Sequence, residues 1–93
     1  MLDIILLEGQ QLVGEALARV LETDFDALIH RAADKAQAYR LLDTASDAQL
    51  MMLDSDLSGA LELMGFVRAK YPDIGVIALA GSGGLVDAAN ALA

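Results

Sequence analysis

Three carboxylates stand where the sequence turns from oily to polar. Glu8 closes "DIILLEG", and Asp54 and Asp56 close "MMLDSD". An acid at the end of a hydrophobic strand has three uses. It can attack as a nucleophile, ligate a hard cation through oxygen, or end the strand and cap the next helix. Glu8 and Asp54 are far apart in the chain, so joint chemistry requires a fold that brings their strand ends together. Other chemistries find little support. His30 is the only histidine and sits inside an apolar run, so no multi-histidine metal site exists and it reads as structural. Ser55, Ser58 and Ser82 have no histidine nearby to act as a base. "AGSGG" (80–84) resembles a phosphate cradle in its glycines but lacks the P-loop lysine and follows a fourth strand, so it reads as a flexible loop.

The elements that must position these acids alternate in type. "DIILLEG" (3–9) is a short continuous apolar run, the pattern of a strand buried on both faces. From 11 to 22, Leu12, Ala16, Leu17, Val20 and Leu21 recur at helical spacing and predict one buried stripe. "DALIHRA" (26–32) reads as a less oily strand near an edge. "DKAQAYRLLD" (34–43) reads as a helix with Asp34 as its N-cap. "AQLMMLD" (48–54) is a third strand, with Met51 and Met52 as core. A helix from 59 to 70 follows, burying Leu61, Leu63 or Met64, and Val67, and Tyr71-Pro72 ends it. "IGVIALA" (74–80) is a fourth strand and "LVDAANALA" (85–93) the start of a fourth helix. Asp43, Asp47, Glu62, Asp73 and Asp87 read as solvated surface.

This βαβαβαβα order predicts a parallel sheet with helices on both faces and right-handed crossovers. In such sheets ligands sit beyond the C-terminal strand ends, where the strand order switches. Glu8 and Asp54 belong to that region.

Bulk properties narrow the function further. The 93 residues make one domain, and a chain of that size buries only about 60–70% of its unfolded surface. Apolar residues are 56% of the chain and mean hydropathy is +0.48, so the chain needs a two-faced core or a partner to hide its apolar surface. No apolar run approaches the ~20 residues of a membrane span, and "MLDIILLEG" lacks the basic start of a signal peptide. With no cysteine there are no disulfides, Cys zinc sites or thiol chemistry, which fits a cytoplasmic location. A net charge of −8 on only 6 basic residues argues against nucleic-acid binding by this chain.

Taken together, the sequence resembles the receiver domains of bacterial two-component response regulators, the CheY-like family. The resemblance is carried by "IILLEGQQLVGEALARVLE", "HRAADKAQAYRLL", "AQLMMLDSDLSG", "LELMGFVRAKYPDIGVIALAG" and the closing "ALA". It runs the length of the chain and is nearest in tone to receivers that precede LuxR-type DNA-binding domains. It implies a flavodoxin-like, three-layer, doubly wound α/β sheet in strand order 2-1-3-4, the first four of a receiver's five βα units. The expectation is therefore a single domain, 1–93, incomplete at its C-terminus.

The resemblance also implies a chemistry. Asp54 stands at the phospho-acceptor, Glu8 at the first of two metal-binding acids, and Asp56 offers the backbone carbonyl of a Mg²⁺ site. Gly9 occupies the place of the second acid, and Ala80 that of the hydroxyl residue that grips the phosphoryl group. The family's lysine lies on the absent fifth strand, and Lys35 and Lys70 read as remote from the strand ends. The expectation is a degenerate, non-enzymatic receiver that works through protein partners, a histidine kinase or another signalling protein. A homodimer through the strand 4 edge and helix 4 is the accompanying expectation. The alternative is a working phospho-acceptor on Asp54 with Mg²⁺, controlling a DNA-binding output domain outside this chain.

Overall fold

The computed structural model describes residues 1–45 and 47–79. Within them the order is β1 (Leu2–Leu7), α1 (Gln11–Asp24), β2 (Ala27–Ala32), α2 (Lys35–Thr44), β3 (Leu50–Asp54), α3 (Ala60–Lys70) and β4 (Gly75–Leu79). The four strands are all parallel and lie in the order β2-β1-β3-β4. This is the expected doubly wound α/β architecture of flavodoxin-like type. The helix expected at 85–93 lies outside the described residues.

β1 is the centre of the sheet because its sequence allows nothing else. Four consecutive apolar residues, Ile4 to Leu7, are all buried. Alternation along the strand divides them between two cores. Ile5 and Leu7 join Leu42, Met51, Leu53, Leu63 and Val67 on one side, while Ile4 and Leu6 join Leu17, Leu21, Met52 and Leu79 on the other. β2, the less oily strand, takes an edge as expected and leaves Leu28 and Arg31 exposed.

Local signals set the helix starts. Asp34 caps α2, its Oδ1 accepting from the Gln37 backbone N–H at 2.9 Å, while Gln37 Oε1 accepts from the Ala33 N–H at 2.8 Å. This reciprocal pair satisfies two donors that the helix itself cannot. α3 begins from Gly59 in the left-handed region, φ 80°. A side chain there would be strained, and its Cβ would also meet Lys35 Cδ at 2.6 Å. No helix among the described residues is long and apolar enough to cross a membrane.

Two sequence expectations change. In α1 the buried set is Gly14, Leu17, Ala18 and Leu21, whereas Leu12 is 81% and Val20 50% exposed, and Ala16 is exposed with them. A helix presents only one stripe to a sheet, and the i, i+3, i+4, i+7 set won it. Gly14 belongs there because the Arg31 side chain crosses it, donating from Nη2 to the Gln11 carbonyl at 3.2 Å. In α3, Leu63 and Val67 are fully buried and Met64 partly, but Leu61 is 77% exposed. Beyond α1, the same face of the sheet carries a wholly apolar hollow of about 70 Å³ among Leu2, Leu21, Phe25, Leu50, Met52 and Ile77.

These assignments are testable on stability. Leu63→Ala should cost about 2–5 kcal/mol through lost burial and a residual cavity. Leu61→Ala, two residues away, should stay within about 0.5 kcal/mol. Urea denaturation followed by circular dichroism measures both, and equal costs would contradict the burial described.

Candidate functional site

The parallel register carries Glu8 and Asp54 to neighbouring strand ends. Leu7 pairs with Leu53 at the last rung between β1 and β3, so the two acids are the next residues on adjacent strands. This is where the strand order switches, the position at which open α/β sheets bind ligands. What surrounds the acids then decides what they can do.

Asp54 is half-buried, and its carboxylate is already in use. Oδ1 accepts from the Asp56 backbone N–H at 2.9 Å, and the Asp54 carbonyl accepts from the Leu57 N–H at 3.2 Å. The side chain thus organises the turn into α3, as Asp commonly does. Ser55 follows as a fastener between strands. Its N–H and its hydroxyl both donate to the Leu79 carbonyl, at 2.8 and 3.0 Å. Asp56 is exposed.

Glu8 is 8% exposed, the one charged side chain among the buried described residues. Its N–H donates to the Ala32 carbonyl at 3.0 Å, which locks it to β2. Its Oε1 accepts from the Gln10 N–H at 3.1 Å. Glu8 lines a cleft of about 320 Å³ with Gly9, Gln11, Arg31, Ala33 and Gln37. That cleft opens over the β1–β2 side, and Asp54 does not line it.

Gly9, which the resemblance sets at the second metal-binding acid, is exposed, with an apolar side chain beside it. A Cβ built on it would lie 2.8 Å from Leu57 Cδ2. Leu57 is half-buried and packs against the core of the α2–α3 side. Mg²⁺ needs near-octahedral oxygen ligands, and the set present does not fit that need. One oxygen each of Glu8 and Asp54 is engaged by a backbone N–H, the Asp56 side chain is exposed, and Leu57 Cδ2 stands where a side chain at Gly9 would begin. Among the described residues no three acidic, histidine or cysteine side chains gather where an ion could be held.

Two residues took roles that the sequence did not signal plainly. Leu57 is one, and its only sequence cue is being the lone apolar residue within the polar turn "DSDLSG". Lys35 is the other. It opens α2 just after β2, and its side chain lies against Gly59, with Nζ 3.5 Å from Glu62 Oε2. It is therefore close to the turn that follows Asp54 rather than remote from the strand ends. Both partners of that ion pair are largely exposed, so it contributes little to stability. Lys70 instead lies at the far end of α3, over the rings of Phe66 and Tyr71. His30 stands within β2, away from the acids, its Nε2 2.8 Å from Asp3 Oδ1; the two atoms are shielded from water but not aligned as a hydrogen bond. Ala80, Ser82 and the glycine loop lie outside the described residues.

The obstruction at Gly9 can be removed by design. Gly9→Asp alone should destabilise the fold by about 1 kcal/mol, since Leu57 must turn away, and should not create a Mg²⁺ site. Combined with Leu57→Ala it should couple favourably, with Mg²⁺-dependent amide shifts at residues 8, 9 and 54 in the double variant only. An NMR titration of the four proteins measures this, and identical shifts in the single variant would refute the role given to Leu57.

Comparison of the chain with models of known families and with curated proteins found no match.

Proposed function

We propose that this chain is a receiver-type signalling domain of the response-regulator class that no longer depends on phosphorylation and acts by binding other proteins. The observation that carries this reading is Leu57 Cδ2 lying 2.8 Å from where a side chain at Gly9 would begin, which sets hydrocarbon beside the position of the second acid. The parallel sheet in order β2-β1-β3-β4, with Asp54 at the end of β3 beside Glu8, supports the receiver half of the proposal. The turn bond from Asp56 to Asp54 supports the structural half, because it gives the aspartate a use that needs no phosphate.

On this reading the chain is not an enzyme, and its work is done in the cytoplasm. Its partners are a histidine kinase or another signalling protein. The outer edge of β4, where Val76 and Ala78 turn their backbone groups away from β3, offers a place for an extended segment of such a partner. The excess of acidic over basic residues makes nucleic acid an unfavourable partner for this chain. The other reading is a working phospho-acceptor, favoured by Asp54 standing half-buried beside Glu8. It would use Asp54 with Mg²⁺ and control a DNA-binding output domain.

Incubation with acetyl phosphate and Mg²⁺, followed by intact-mass spectrometry, separates the two. We expect no phosphoryl adduct, and a fold and partner binding retained in Asp54→Asn, which keeps an oxygen to accept from the Asp56 N–H. A stoichiometric adduct lost in Asp54→Ala would establish the phospho-acceptor instead.

A further inference from the structure

α1 carries two apolar stripes, and the sheet uses one. Gly14, Leu17, Ala18 and Leu21 face β1 and β2. Leu12, Ala16 and Val20 follow one another at four-residue spacing on the opposite side, all exposed, Leu12 by 81%. Leu12 and Ala16 wall a shallow cleft of about 260 Å³ together with Glu15 and Arg19. A single exposed leucine needs no explanation. A straight apolar row on the outward side of an amphipathic helix does, because that side is ordinarily polar.

We infer that this row is the surface through which two copies of the chain associate, α1 packing antiparallel against α1 of the second copy about a two-fold axis near Ala16. Shape is the first reason. Ala16 is small and central, so the helix backbones can approach, and reversal about it sets Leu12 of each copy against Val20 of the other. Charge is the second and selects a second copy over an unrelated partner. Glu15 and Arg19 are one turn apart on one flank of the row, and a two-fold axis reverses their order, so Glu15 of each copy meets Arg19 of the other. Among the described residues neither is in an ion pair; Glu15 only accepts from the Gln11 amide at 3.3 Å. Two chains of net charge −8 repel each other, so a contact between copies has to set opposite charges together, as this one does twice. Such rim pairs add little affinity but fix orientation. The surface goes beyond the signalling role proposed above and uses neither Asp54 nor the edge of β4.

Sedimentation velocity of the full chain over a concentration series tests the inference. We expect a reversible dimer that becomes monomeric in Leu12→Glu, with an unchanged circular dichroism melt at concentrations low enough for both proteins to be monomeric, because Leu12 is exposed. Arg19→Glu should weaken association by roughly tenfold or more through four like-charged groups at the contact. The double variant Glu15→Arg with Arg19→Glu should restore it, since the swapped pair is again self-complementary. A wild-type chain that stays monomeric at high micromolar concentration would overturn the inference. So would a dimer that survives Leu12→Glu, a swap no better than Arg19→Glu alone, or a dimer dissolved by Ala78→Pro on the β4 edge in place of the α1 variants.

Discussion

β1 is bonded to a neighbour on each edge and packed against side chains on each face, and the other elements are arranged around it. Its residues Ile4 to Leu7 have no exposure to trade, so the strand must be central and both sheet faces must be covered. With β1 central, β2 takes one side and β3 the other, and the chain reverses direction across the sheet at that point. The two acids gather at the ends of β1 and β3 as a consequence of burying leucine and isoleucine. Hydrophobic burial therefore sets the location of the polar site.

The chemistry available at that location is decided by smaller contacts. The carboxylate of Asp54 holds the turn into α3, and the carboxylate of Glu8 holds the loop into α1. Both accept from backbone N–H groups that the strands and helices leave unpaired, a use that needs no bound ligand. Leu57 extends the α2–α3 core up to the mouth of the site, where it lies on Gly9. The region is thus built as the rim of a core more than as a cradle for a charged ligand. Lys35 reaches across to Gly59 and Glu62 at the start of α3, in a pair too exposed to be strong.

A second consequence concerns the outside of the molecule. A small α/β domain of 56% apolar composition has more hydrocarbon than two helix-covered faces can hide. Part of the surplus lies in the row on the outer side of α1 and in the hollow past that helix, bordered by Phe25, Leu50 and Ile77, while Leu28 on β2 and Leu61 on α3 are exposed elsewhere. Both belong to the side of the sheet on which α1 packs, whereas α2 and α3 share the opposite core. Among the described residues one helix packs on that face and two on the other, and the hollow stays open beside α1.

Much of this was legible in the amino-acid sequence. The continuous run at 3–7, the alternating elements, Asp34 as a cap and Tyr71-Pro72 as a stop are local signals, and each element they predict within the described residues is present within a residue or two. The order 2-1-3-4 was legible only through resemblance, because strand order depends on contacts between residues distant in the chain. Which apolar residues face inward was legible only in part: Leu63 and Val67 of α3 were, but Leu61 and the stripe of α1 were not. Leu12 and Val20 fit a helical stripe as well as Leu17 and Leu21 do, and only the sheet selects between two stripes on one helix. The same limit held at the site. The sequence by itself determined that Glu8 and Asp54 end strands and that Gly9 offers no carboxylate. Only the tertiary structure decided that Leu57 occupies the space beside Gly9 and that Lys35 reaches Gly59, because both contacts join segments whose relative position is set by the packing of helices on the sheet.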